Sequence, residues 1–182
     1  MVARAGPAHL AQIPNALTLL RLLLIPVFVA LVLASGGGHS WPAAIVFGVA
    51  GVSDQIDGWL ARRWRVESSF GKIADPLADR LMIDAAVILL WHADRLPWAA
   101  LAIPVRDVAV VAGYKLVVER GYDFSVNLAG KAATWFLYAS LAFVMVTRKG
   151  TDWPLWLFWA GFALAAVALA GYLRKAQKEV HA

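Results

Sequence analysis

Long runs of apolar residues alternate with short polar segments along the whole chain. Apolar windows of about 17–22 residues, the length that crosses a hydrocarbon layer of about 30 Å, can be placed six times. They cover residues 17–34, 41–60, 75–92, 97–118, 130–147 and 153–173. The pattern predicts an all-α membrane protein with six transmembrane helices. We expect one domain over 1–182, with a lead-in over 1–16, a bundle over 17–173 and a basic tail over 174–182.

Composition supports this interpretation independently of the windows. Hydrophobic residues make up 61% of the 182 residues, and the mean hydropathy is +0.65, far above that of a soluble domain of this size. The chain has no cysteine. Disulfides, thiolate metal ligands and a cysteine nucleophile are therefore excluded.

Basic residues are divided unequally between the two sets of connecting segments. The richer set is the N-terminus, the 62–74 loop, the 115–131 loop and the C-terminus, whereas the other loops carry only Arg95, Arg148 and Lys149. By the positive-inside rule, both termini and the 62–74 loop face the cytoplasm of a bacterial-type cytoplasmic membrane. The net charge of +5 is thus confined to one side and lacks an interleaved aromatic pattern, which argues against nucleic acid and favours the lipid bilayer as partner.

Four aspartates interrupt the second and third apolar windows close to the 62–74 loop. Asp54 and Asp57 are spaced i,i+3, and Asp75 and Asp79 are spaced i,i+4, so each pair shares one helical face. Carboxylates inside a membrane helix are costly without a compensating cation. Oxygen ligands alone favour Mg²⁺ or Mn²⁺, and two such ions would bind a pyrophosphate. We therefore predict a two-metal site near one membrane surface.

The residues around the aspartates suit a phosphate ligand. Gly58 and Ala61 leave the helix surface beside the carboxylates bare enough for a bulky ligand to approach. Arg62 offers a planar guanidinium to a phosphate oxygen. Gly71 opens the second half, where a tight turn would direct the later aspartates back towards the earlier pair.

This run resembles the signature of the CDP-alcohol phosphatidyltransferases, D-x-x-D-G-x-x-A-R-x8-G-x-x-x-D-x-x-x-D, at every fixed position. Segment 13–21 resembles the lead-in to the first span in that family, and segments 75–80 and 130–134 are similar to its glycerophospholipid branch. The resemblance implies transfer of a phosphatidyl group from CDP-diacylglycerol to a glycerol-type alcohol, with release of CMP. It also implies a homodimer. A polar loop with acidic residues placed by chance is the alternative, and the exact spacer argues against it.

The resemblance assigns roles residue by residue. Asp54, Asp57 and Asp75 are expected as the principal metal ligands, and Asp79 as the general base, as a further ligand, or as both. The residues expected to line the cytidine diphosphate pocket are Asp54, Gly58, Ala61, Arg62 and Gly71.

The acceptor alcohol is the open question. Arg106, Lys115 and Lys131 are candidates for binding an acceptor phosphate, although each could equally be a snorkelling side chain. The Arg106-Asp107 pair, with no second arginine two turns later, resembles the cardiolipin-synthase-like members, whose acceptor is phosphatidylglycerol. Lys115 could replace that arginine, which would favour glycerol-3-phosphate instead. Inositol phosphate is a third, less favoured acceptor.

Two other classes of function compete with a transferase. Intramembrane aspartates also mark ion pathways, so a divalent-cation transporter is one alternative. A transport path would carry ionisable groups through the membrane depth, yet the cores of the fifth and sixth windows are uncharged. A purely structural membrane protein is the other alternative, and the intact carboxylate set argues against it.

Overall fold

The computed structural model describes residues 12–64, 69–109 and 128–180, with side chains over 19–53, 80–109 and 130–171. The described residues form six α-helices, one short 3-10 helix and no strand, which confirms the all-α prediction. The helices are α1 (Gln12–Ala34), α2 (Trp41–Trp64), α3 (Ser69–His92), α4 (102–109, where the described range ends), α5 (Leu128–Val146) and α6 (Trp153–Val180).

The fourth helix does not start where the apolar window starts. Pro97 is extended, with φ −69° and ψ 156°, and the next residues form a 3-10 helix over Trp98–Leu101 before α4 begins. Pro104 lies in the first turn of α4, where a missing backbone N–H removes no intrahelical hydrogen bond. The prolines therefore set the start of α4, a feature that the apolar window does not register.

The connection between α1 and α2 is a tight turn built by glycine and serine. Gly38 has φ +68°, and a Cβ on it would lie 3.1–3.2 Å from Ala93, Arg95 and Leu90, so a larger residue would be both strained and crowded. At the start of α2, the Ser40 hydroxyl accepts a hydrogen bond of 3.2 Å from the Ala43 N–H. This cap fixes the first turn of α2 beside the end of α1.

The core runs through the centre of the bundle and is dominated by aromatic and aliphatic side chains. The Phe28 ring of α1 lies 5.4 Å from the Phe47 ring of α2, and the Phe47 ring lies 4.8 Å from the Tyr138 ring of α5. Helix α1 also packs against α3, and α5 packs against α6. Helix α1 therefore contacts both of the helices that carry the aspartates.

Helices α2 and α5 approach closely because of one glycine. A Cβ on Gly51 would lie 2.7 Å from the Tyr138 ring, closer than real Cβ contacts allow. The aromatic ring occupies the space that a side chain would need. This contact holds α2 against α5 one turn before Asp54.

Many large apolar side chains face outward. Leu23, Val105 and Trp156, for example, are 68%, 68% and 72% exposed. Among the described helices, α6 alone is apolar over a stretch long enough to cross a membrane, Trp153–Gly171, while Leu19–Ala34, Trp41–Ser53 and Gly130–Val146 are shorter apolar stretches. The arrangement of six spans with cytoplasmic termini remains a prediction.

Candidate active site

The two aspartate pairs lie on the two helices that flank one connection. Asp54 and Asp57 are in the last turns of α2, and Asp75 and Asp79 are in the first turns of α3. Asp54 is as far from the end of α2 at Trp64 as Asp79 is from the start of α3 at Ser69. The backbone thus confirms the helical placement that the spacing predicted. We call this end of the bundle the aspartate end.

The predicted ligand side chains themselves lie outside the described side chains. This applies to the four aspartates and to Gly58, Ala61, Arg62 and Gly71, whose backbones are described as helical, and Lys115 lies wholly outside the described residues. The grouping of four carboxylates into one metal site is therefore still a prediction. Their chemistry fits Mg²⁺ or Mn²⁺, because carboxylate oxygens are the donors that such ions prefer.

A buried arginine on α1 lies at the level of the first aspartate pair. Arg21 is 0% exposed. About two helical turns separate Arg21 from Phe28, and the same separation leads from Phe47 to Asp54. Because Phe28 and Phe47 are in contact across the antiparallel α1–α2 hairpin, Arg21 and Asp54 occupy matching positions on facing helices.

The charge of Arg21 is therefore part of the aspartate end. A guanidinium is retained in an apolar interior only where anionic or polar groups compensate it. The sequence analysis included Arg21 only as the last residue of a segment similar to the family. An arginine inside an apolar window was the signal that could have singled it out.

A second charged cluster joins α3 to α4. The Arg80 Nη1 donates a hydrogen bond of 2.5 Å to the Asp107 Oδ1, and the Arg106 Nε and Nη2 donate to that same oxygen at 2.9 Å and 2.6 Å. The Asp107 side chain is 4% exposed. Asp84, one turn after Arg80, lies within electrostatic reach of all three residues. We call Arg80, Asp84, Arg106 and Asp107 the Asp107 cluster.

This cluster changes the interpretation of Arg106. The sequence offered Arg106 as a possible ligand of the acceptor phosphate, with Asp107 as its one evident partner. The structure shows that Arg106 shares this carboxylate with Arg80, which the sequence analysis did not assign to the site. The charge of Arg106 is thus already partly neutralised. Lys131, the other described candidate, is exposed near the start of α5.

The opposite end of the bundle, which we call the tryptophan end, holds a cavity of about 600 Å³. Its lining includes Trp91, Trp98, Arg95, Lys149 and Asp152. The cavity lies at the end of α3 remote from Asp75 and Asp79, so it is not the predicted metal site.

An arginine closes the end of α5 at the tryptophan end. The Arg95 guanidinium donates to the carbonyl oxygen of Val144 and, at 2.6 Å, to that of Thr147. These carbonyls belong to the last turn of α5 and the residue after it, where helical partners are missing. Burial lowers the pKa of Arg95 below its ordinary value. The role of this arginine is structural.

Comparison with known proteins agrees with the sequence signature. The family model described as CDP-alcohol phosphatidyltransferase matches residues 11–168. The chain is 34% identical over 167 residues to a CDP-diacylglycerol--glycerol-3-phosphate 3-phosphatidyltransferase of Bacillus subtilis, covering 80% of this chain and 86% of the relative. It is 37% identical over 156 residues to a CMP-forming cardiolipin synthase of Streptomyces coelicolor, covering 82% of this chain and 72% of the relative.

A further relative has the same range of similarity. The chain is 33% identical over 162 residues to the CDP-diacylglycerol--glycerol-3-phosphate 3-phosphatidyltransferase of Escherichia coli strain K12, covering 86% of each protein. Relatives named for two different reactions are thus about equally similar to this chain. Together with the complete aspartate signature on α2 and α3, these matches show that the chain belongs to the CDP-alcohol phosphatidyltransferase family.

Proposed function

We propose that the chain transfers a phosphatidyl group from CDP-diacylglycerol to the hydroxyl of phosphatidylglycerol, releasing CMP and forming cardiolipin. The observation that supports the transfer reaction is that the four aspartates of the signature belong to the last turns of one helix, α2, and the first turns of the next, α3. The family match supports the same reaction class.

In the proposed reaction the aspartates would hold the metals, and one of them would accept a proton from the acceptor hydroxyl. Asp54, Asp57 and Asp75, together with Asp79, would hold two Mg²⁺ or Mn²⁺ ions, which supply charge neutralisation on the pyrophosphate. Asp79 would accept the proton of the acceptor hydroxyl as its oxygen attacks the lipid-side phosphorus. The bond from that phosphorus to the CMP oxygen breaks, and CMP leaves with the electron pair.

The residues between the aspartate pairs would bind the nucleotide. Gly58 and Ala61 present no large side chain next to the ligand positions, so the cytidine diphosphate could approach the α2 backbone closely. Arg62 would donate to a phosphate oxygen through its planar guanidinium. Gly71 would provide the corresponding open position at the start of α3.

Phosphatidylglycerol is favoured as acceptor by the residues of α4. The Arg106 charge is shared with Asp107, so it offers less to a dianionic acceptor than an isolated arginine would. A lipid acceptor is already confined by its acyl chains to the bilayer and depends less on cationic ligands than a soluble one. The similarity to the Streptomyces coelicolor cardiolipin synthase supports this choice.

Glycerol-3-phosphate is the second candidate acceptor. The relatives in Bacillus subtilis and Escherichia coli are named for this acceptor, and their similarity to the chain is about as high. In that case Lys115 and Lys131 would be expected to bind the phosphate dianion together with Arg106.

The membrane arrangement is part of the proposal. Six spans, with both termini and the aspartate end on the cytoplasmic side, would let a water-soluble acceptor or product reach the site without crossing the bilayer. The outward apolar side chains of the described helices and the one-sided distribution of basic residues support it. A homodimer is proposed on family resemblance alone.

An acceptor panel tests the proposed function. Purified protein is given labelled CDP-diacylglycerol and Mg²⁺, with phosphatidylglycerol, glycerol-3-phosphate or inositol phosphate, and both CMP and the lipid product are measured. Cardiolipin from phosphatidylglycerol is the expected result. Product from glycerol-3-phosphate alone would overturn the acceptor, and absence of CMP with every acceptor would overturn the transferase. Metal flux into vesicles without CMP release would instead support a transporter.

A further inference from the structure

Among the described side chains, the ion pair that joins two helices belongs to the Asp107 cluster. Arg80 belongs to α3 and Asp107 to α4, and their 2.5 Å contact is buried on the carboxylate side, where Asp107 is 4% exposed. The other described pair between distant residues, Lys149 with Asp94 at 3.7 Å, connects two exposed loops at the tryptophan end. The Arg80–Asp107 pair is thus placed to fix one helix against another.

A single carboxylate oxygen of Asp107 binds two arginines. One oxygen, Oδ1, accepts from three N–H groups of two guanidiniums, so Arg80 and Arg106 are held side by side across a single atom. Buried ion pairs contribute little net stability compared with apolar packing, because desolvation of both charges offsets their attraction. An ion pair of this kind is better suited to setting the position of two helices than to stabilising their association.

The Arg80–Asp107 ion pair lies next to Asp79, the proposed base. Arg80 follows Asp79 directly on α3, and Asp75 lies little more than one turn earlier. A helix is stiff over such a distance, so a constraint at residue 80 restrains the turn that carries Asp79. Catalytic groups must be held within about 0.5 Å of their productive geometry, and groups around them usually supply that restraint.

We propose that Asp107 is a positioning residue of the transfer reaction, which acts through Arg80 to hold the turn of α3 that carries Asp79 in a fixed position relative to α4. Arg80 is the second positioning residue. This inference rests on the proposed function, because it assumes that Asp79 accepts the acceptor proton.

The test is a double-mutant cycle with Asp107→Asn, Arg80→Met and the combined variant. Each single variant is expected to lower kcat by roughly a hundredfold, as a misplacement of about 1 Å can, while the Mn²⁺ affinity and the KM for the CDP-lipid change by less than about threefold. The combined variant is expected to lose no more than either single one, since both break the same constraint. Asp107→Glu, which keeps the charge, should recover most of the lost kcat.

The matched control is Asp94→Asn at the tryptophan end, which removes one carboxylate charge from an exposed pair and should leave every constant unchanged. If Asp107→Asn does not fold, Arg80→Lys decides, because it keeps the charge and loses the planar guanidinium, and its kcat should fall.

Three results would count against the proposal. Unchanged kcat in the variants would overturn it. A parallel loss of kcat, Mn²⁺ affinity and melting temperature, without recovery in Asp107→Glu, would overturn it in favour of a purely structural pair. A wild-type protein that releases no CMP would overturn the proposed function and this inference together, whereas active wild type with unaffected variants overturns this inference alone.

Discussion

The two ends of the bundle use arginines for different purposes. At the tryptophan end, Arg95 donates to backbone carbonyls at the end of α5, which are neutral acceptors. At the aspartate end, Arg80 and Arg106 share one buried carboxylate, and Arg21 is enclosed at the level of Asp54. Arg95 at the first end donates to the end of a helix, whereas Arg80 and Arg106 at the second neutralise a carboxylate. Changes at the tryptophan end should therefore affect stability, and changes at the aspartate end should affect turnover.

The largest effect is expected from removing a metal ligand. Asp75→Asn should lower turnover by at least about a hundredfold, because the site loses both a negative charge and an oxygen ligand. A chelator in excess should abolish turnover of the wild-type protein. CMP release under both conditions provides the measurement, with Asp94→Asn as the control. Full turnover in excess chelator would contradict the metal assignment.

Arg21→Met tests whether the charge of Arg21 belongs to the metal site, through the shift in melting temperature that metal causes. Without the buried guanidinium, the metal-free protein keeps carboxylates whose charge is less balanced, and it should melt at a lower temperature. Mn²⁺ should then raise the melting temperature more in the variant than in the wild type, because metal binding compensates those carboxylates. Arg21→Lys, which keeps the charge, should respond like the wild type. An equal metal-induced shift in wild type and Arg21→Met would place the charge of Arg21 outside the metal site.

A smaller effect is expected at the contact that holds α2 against α5. Gly51→Ala should lower the free energy of unfolding by about 1–3 kcal/mol, because its Cβ would overlap the Tyr138 ring. Gly48→Ala on the same helix is the matched control, since its Cβ meets nothing within 4 Å, and it should be neutral or slightly stabilising. Denaturation of both variants measures the difference. Equal stability of the two would show that α2 and α5 can separate without cost.

The smallest effect on turnover is expected from Arg95→Met. The end of α5 loses the guanidinium that donates to two carbonyls, and the free energy of unfolding should fall by about 1–3 kcal/mol. The kcat should stay within about twofold of the wild-type value, because the tryptophan end is remote from the aspartates. Denaturation and CMP release on the same preparation separate the two quantities. A kcat that falls as far as in the Asp107 variants would remove the distinction between the ends.

The apolar windows predicted four of the helix boundaries to the residue. Windows ending at residues 34 and 92 match the ends of α1 and α3, and windows starting at 41 and 153 match the starts of α2 and α6. At the aspartate end the helices run past the windows, with α2 reaching Trp64 and α3 starting at Ser69. Hydropathy measures the apolar length of a segment, whereas intrahelical hydrogen bonds continue through polar residues.

The site could be predicted only as far as local spacing determines it. The intervals between the aspartates specify a shared helical face, so their placement on α2 and α3 followed from the sequence alone. Pairing of Arg80 with Asp107 joins residues on different helices, and the fit of the Tyr138 ring against Gly51 does the same. No periodicity within one segment encodes such contacts, because they depend on how the helices pack.

Helix α6, which spans 28 residues from Trp153 to Val180, is longer than a bilayer requires. At 1.5 Å per residue it measures about 42 Å, against a hydrocarbon thickness of about 30 Å. Since α6 starts at the tryptophan end, its surplus turns project from the aspartate end, and they carry Arg174, Lys175 and Lys178. In the proposed orientation this extension would place three basic residues on the cytoplasmic side of the membrane. Basic residues at a membrane surface attract anionic lipids, so this extension would raise the concentration of anionic lipids beside the aspartate end.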